Sequence, residues 1–208
     1  MNVRIQYPLS FTAGIYFNGQ MQMNNYMAKL YMMTNTPDGV ANNVAFDRIK
    51  HFIYTELDSS IFISSEYEEQ CKKYIDAGIK ITTFPGDPVD QLVGIMLFCK
   101  LGAIVEDRII IGEVELGSTT SDGVIYIHGD NENIEDLDPP DWWDSVDLIH
   151  CDRELVDTDE IVTMHRGSVW RDLELQWPDI EDVTEELDEE ESGNTVVFAD
   201  FKRLDETE

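Results

Sequence analysis

Basic side chains are scarce: 14 Lys and Arg stand against 43 Asp and Glu, which leaves a formal net charge of −29 and a pI near 4.1. A chain so charged repels phosphates at long range, which argues against direct contact with nucleic acid. Cysteine is sparse as well. Cys71, Cys99 and Cys151 are odd in number and far apart, without the paired spacings of zinc sites or redox loops, so they read as reduced thiols in a cytosol-like compartment. Long apolar runs are also missing. The longest, VGIMLFC at 93–99, is far short of a bilayer span, and the stretch around Arg4, Pro8 and Asn18 lacks the apolar core of a signal peptide, so neither membrane insertion nor secretion is expected. No GxGxxG or P-loop string occurs, so a standard nucleotide fold has no support.

What is present suits a folded protein. With 208 residues, 42% hydrophobic and 10% aromatic, the chain can bury a real core and is too apolar to be wholly disordered. The charge opposes compaction, since two like charges about 7 Å apart in water repel by roughly 0.6 kcal/mol before screening. Salt, divalent cations or a cationic partner should therefore stabilise the compact state.

The charge is not spread evenly. Residues 1–110 hold 9 basic and 12 acidic side chains, a net of −3, whereas residues 111–208 hold 5 and 31, a net of −26. Adaptation to high salt would acidify every exposed face, so a localised charge points to a localised task. The expected organisation is a near-neutral core domain at 1–130, an acidic aromatic-containing segment at 131–180 folded onto it, and an acidic linker with a tail or strand at 181–208.

The first half reads as alternating structure. Residues 3–17 suggest an edge strand or hairpin broken near Pro8. Asn43 is a candidate cap for a helix whose apolar positions Phe46, Ile49, Phe52, Ile53 and Leu57 recur at helical spacing. Ser65 with Glu68 suggests a capping box for a second helix through Cys71, Tyr74 and Ile75, closed by Gly78. A strand at Ile79–Phe84 follows, then a helix from Asp87 and Pro88 to about Leu101. Residues 107–116 and 123–128 read as two strands joined by the turn-rich GSTTSDG. The fold class expected is α+β, a mostly antiparallel sheet with helices on one face. All four tryptophans, Trp142, Trp143, Trp170 and Trp177, fall in the acidic half, which should extend the sheet or pack on it.

No motif amounts to an active site. DNENIED from Asp130 fails as a calcium loop because Ile134 stands where a ligand is needed, although weak nonspecific divalent binding fits the acidic clusters. His150 beside Cys151 lacks a second ligand pair for zinc. HGD at 128–130 has no nucleophile at a defined spacing, and Glu106, Asp107, Glu113 and Glu115 could meet at strand ends only by coincidence among so many carboxylates. Lys72, Lys73 and Lys80 are interleaved with Glu66, Glu68 and Glu69, a mixed helix face. The expectation is therefore no enzyme, no cofactor and no metal.

A folded acidic face is the remaining signal. Helical carboxylates at i and i+4 lie about 5–6 Å apart, which approaches the charge density of a phosphate backbone. Asp136, Asp138, Asp141, Asp144, Asp147, Asp152, Asp157, Asp159 and Glu160 are the candidate partner-binding carboxylates, with Trp142 and Trp143 as apolar anchors between them. The expected function is an acidic protein-binding module on a basic partner, either a nucleic-acid-binding protein met by DNA mimicry or a cationic toxin met by an immunity-type inhibitor. The expected location is the cytoplasm, that of the host for a phage-encoded chain. A structural or assembly protein with a solubilising acidic face is the alternative, and a metal-assisted hydrolase a further one. The oligomeric state is not legible.

Overall fold

The computed structural model describes residues 3–129, Trp143, Trp170 and residues 173–178. The chain divides into two units, Met1–Trp177 and Pro178–Glu208, and every element below belongs to the first.

The longest local structure is a hairpin. β1 (Arg4–Phe17) and β2 (Gln20–Thr34) pair antiparallel from Phe17↔Gln20 to Arg4↔Met33. Asn18 and Gly19 join them at φ of 49° and 76°, the two left-handed positions that match the twist of the flanking strands. Pro8 does not break β1 as the sequence suggested. Thr12 and Gly14 donate their backbone N–H groups away from β2, to Asp58 Oδ1 and Ser60 O. Pro8 shares that alternation, so its lost donor faces a side on which β3 pairs only Gly14 and Ile15.

Four more strands complete the sheet. β3 (Ile61–Ser64) lies parallel to β1, and β4 (Ile81–Phe84) parallel to β3. β5 (Ile109–Ser118) pairs antiparallel with β2, and β6 (Ile125–Gly129) antiparallel with β5. The order β4-β3-β1-β2-β5-β6 makes a six-stranded mixed sheet, mostly antiparallel in an α+β fold with three helices.

Helix α1 (Gly39–His51) is capped by Asp38, whose carboxylate accepts from Val40 N at 2.8 Å; Asn43 lies inside it. It runs on into a π-helical turn at Phe52–Leu57. Helix α2 (Glu68–Asp76) starts at Tyr67 without a side-chain cap, so the Ser65 capping box does not form, while Gly78 at φ 70° closes it by donating to Ile75 O. Helix α3 (Asp90–Val105) starts three residues beyond the Asp87 cap expected. The Asp90 carboxylate instead accepts from Ser118 Oγ and Asn24 Nδ2, which ties α3 to β5 and β2.

Two apolar clusters show that helices lie on both faces, which corrects the one-face expectation. Phe11, Ala13, Tyr26, Leu30, Phe62 and Phe84 join α1, the π-helical turn and α3 in the main core. Ile63, Cys71 and Ile81, with Tyr16, Ile61 and Tyr74, form the second. Because neighbouring strand residues point to opposite faces, Phe62 against Ile61 and Ile63 places α2 on the face opposite α1 and α3. The sequence missed this because α2 is short and carries few apolar positions. Among the described residues, no helix is long and apolar enough to cross a membrane.

The α3–β6 contact is the tightest. A Cβ built at Gly94 would lie 2.5 Å from the ring of His128, a buried β6 side chain. Gly94→Ala should therefore cost about 1–3 kcal/mol of stability by overpacking. Urea denaturation of the variant checks this, and an unchanged midpoint would show that β6 is not seated on α3.

Candidate functional site

Two features stand out from the ordinary packing. The first is a buried cation. Arg48, 2% exposed, falls on the stripe of α1 that also carries Ala41, Ala45 and Ile49. Its Nη1 donates to Ile104 O at 3.1 Å and Glu106 Oε1 at 2.8 Å, and its Nε to Leu175 O at 2.7 Å. The guanidinium lies 3.8 Å from the Trp177 ring centre and 4.6 Å from that of Trp170, while Arg108 approaches the Trp177 ring at 4.6 Å. Burial lowers the Arg48 pKa, and Glu106 opposes the shift. One side chain thus gathers α1, the end of α3, Trp170, Leu175 and Trp177, with cation–π contacts strengthened by the loss of water.

The second feature is the sheet face opposite α1 and α3. Its ladder rows follow from the register: Pro8–Lys29–Glu115–Ile127 lies beside Ser10–Met27–Gly117–Ile125. Lys29 Nζ and Tyr31 Oη both donate to the Glu115 carboxylate at 2.8 Å. These bonds, from Lys29 first and Tyr31 second, hold Glu115 below the usual carboxylate range. The contact is complete above the ordinary carboxylate pKa and is lost as pH falls through the lowered one. Gly117 leaves a furrow beside Met27 and Ile125, within an open groove of about 520 Å³.

The sequence candidates fare unevenly. Trp143 is fully buried in the main core, its ring 5.8 Å from that of Phe84, so it is a core residue and not an exposed anchor. Trp142, Asp136, Asp138, Asp141, Asp144, Asp147, Asp152, Asp157, Asp159 and Glu160 lie outside the described residues. So do Cys151, His150, the DNENIED stretch, and 181–208 with its candidate strand. Glu106 is engaged by Arg48 and Glu115 by Lys29, in separate ion pairs. Among the described residues, no three His, Cys, Asp or Glu side chains gather as a metal site. Lys80 turns away from Lys72 and Lys73 to donate to the backbone oxygens of Thr55 and Asp58. Arg48 was missed, although a lone arginine on an apolar helix stripe was a usable signal.

No family model matches the chain, and no curated protein matches it. Solved structures do. The uncharacterized protein WS1659 from Wolinella succinogenes is 11% identical with a TM-score of 0.46, over 64% of this chain and 99% of that one. The 6-pyruvoyl tetrahydropterin synthase of Plasmodium falciparum is 13% identical with a TM-score of 0.40, over 61% and 96%. That of Plasmodium vivax is 12% identical with a TM-score of 0.39, over 62% and 97%. The expectation that the chain is no enzyme is withdrawn, because the similar structures include synthases. At such identities and TM-scores, no activity, substrate or residue role passes from them to this chain.

The Arg48 clasp generates a prediction. Arg48→Met keeps an unbranched apolar stem and removes the charge and donors, and should cost about 3 kcal/mol by stranding Glu106 and the two carbonyl oxygens. Arg48→Lys should recover only part of this, since an ammonium cannot serve the three acceptors in one plane. Thermal denaturation of the three proteins checks the order: wild type most stable, Lys intermediate, Met least.

Proposed function

We propose that the chain is a protein-binding module whose acidic second half occupies a basic surface on a partner. The charge partition carries this reading: a net of −3 over residues 1–110 against −26 over residues 111–208. A surface that evolved to release counterions from DNA gains the same free energy from closely set carboxylates, so a nucleic-acid-binding protein is the favoured partner class. The finer part of the proposal is that the acidic, tryptophan-containing half packs on the sheet domain. Supporting it, Trp143 and Trp170 belong to the main core and Trp177 packs against it. Anchored in this way, the carboxylates would be presented in a fixed pattern, which costs a partner less ordering entropy than a mobile polyanion would. The reduced cysteines suit a cytoplasmic setting.

Binding of this kind is steered by charge and weakened by salt. Affinity for a histone-like protein, a nuclease or a polymerase should fall at least about tenfold between roughly 50 mM and 500 mM salt, and DNA should compete. Titration calorimetry at the two salt concentrations checks this; capture indifferent to salt, or none at low salt, contradicts the proposal.

A further inference from the structure

Among the described residues, the face of the sheet opposite α1 and α3 is only partly covered. Helix α2 packs over its β3 and β4 end, where Tyr16 of β1 meets Tyr67 and Tyr74 edge-on. Beyond that cover, Met21, Met23, Met27, Ile125 and Ile127 are each between 43% and 62% exposed. They share one face: Met21, Met23 and Met27 follow the same alternation along β2, and the ladder sets Met27, Gly117 and Ile125 side by side. Nothing in the local fold requires apolar residues here. A strand face that meets water ordinarily carries polar residues, as at Asn25 between Met23 and Met27 and at Lys29 beyond Met27.

We propose that this face is the contact between two copies of the chain, packed sheet on sheet about a two-fold axis. Area is the first argument. The five side chains expose roughly 500–600 Å² of apolar surface, the upper end of the largest patch on a typical monomer and about two-thirds of the ~800 Å² that each partner gives a standard interface. Pro8, Ser10, Asn25 and Lys29 border it and supply the remainder.

Shape is the second argument. An isologous contact needs a surface that complements itself. Met27 lines the open groove in the same row as Gly117, so a two-fold axis near them lets the exposed Met27 of each copy enter the groove of the other. Thioether side chains adapt to such gaps. The adjacent row repeats the scheme in charge, since Lys29 and Glu115 neighbour each other and can cross-pair with the Glu115 and Lys29 of the second copy.

Charge is the third argument, and it selects the occupant. A basic partner is drawn to residues 130–208, which hold 28 of the 31 acidic side chains of the second half, not to a face where Lys29 already neutralises Glu115. A second copy meets this face with the same few charges. The acidic halves of the two copies repel each other, so the contact forms more tightly as salt rises. Binding of a basic partner has the opposite salt dependence, so failure of one proposal is distinguishable from failure of the other.

The test is light scattering on the full chain, coupled to size exclusion, at about 50 μM and at low and high salt. Expected is a mass of twice the 23.9 kDa chain, with the dimer fraction rising with salt. Met27→Lys and Ile125→Lys, both at exposed positions, should each weaken dimerisation about tenfold or more, and together give a monomer with an unchanged far-ultraviolet spectrum. Val89→Lys, exposed before α3, serves as the control that leaves the dimer intact. A monomer at high salt, a dimer that survives the double substitution in folded protein, or an assembly larger than two would each overturn the proposal.

Discussion

A guanidinium taken out of water has to be compensated, and the compensation of Arg48 organises this molecule. Two backbone oxygens, one carboxylate and two indole faces converge on it. No single element supplies them. α1 brings the cation, the end of α3 brings Ile104 O and Glu106, and Trp170, Leu175 and Trp177 arrive from more than a hundred positions along the chain. The cost of an uncompensated buried charge is several kcal/mol, comparable with the whole stability of a small domain, so the distant segment cannot leave without exposing or stranding the cation.

That arrangement gives the two faces of the sheet different roles. One is sealed by α1, α3 and the tryptophans into the main core. Among the described residues, the other is covered by α2 at one end, with exposed methionine and isoleucine beside a neutralised Lys29–Glu115 pair. Screening separates the two proposals built on these features, because an apolar contact between like-charged copies gains from salt while a charge-steered contact with a cationic partner loses.

Legibility in the sequence followed the strength of local signals. The helical stripe through Ile49, Phe52, Ile53 and Leu57, the left-handed Gly78, and the two strands around GSTTSDG were all readable, because each depends on residues close in sequence. β2 was not assigned, since QMQMNNYMAKLYMMT has scarcely any β-branched residues; the Asn18–Gly19 turn before it was the available clue. Two of the three misplaced caps, those of α1 and α3, share a cause. Asp38 and Val89 precede their helices in extended backbone, and the tie of Asp90 to Ser118 is long-range, so spacing alone could not decide among neighbouring candidates. Of the site, Trp143 and Trp170 were legible as large apolar groups needing burial. The role of surface anchor given to Trp143 was not correct, because burial depends on Phe84, far away in sequence. Helix cover on the opposite face of the sheet was likewise invisible, since it depends on how β3 and β4 join β1 in parallel.

Trp143 and Trp170 lie in the main core and Trp177 packs against it. Hydrogen exchange at the indole Nε1 groups, followed by NMR with mild denaturant, reads this directly, since a proton exchanges only when its site opens. The account predicts that the indoles of Trp143, Trp170 and Trp177 exchange only in the event that also opens the buried strand amides of β1 and β2. Indole exchange at the rate of a free peptide, with those strand amides still protected, would contradict it.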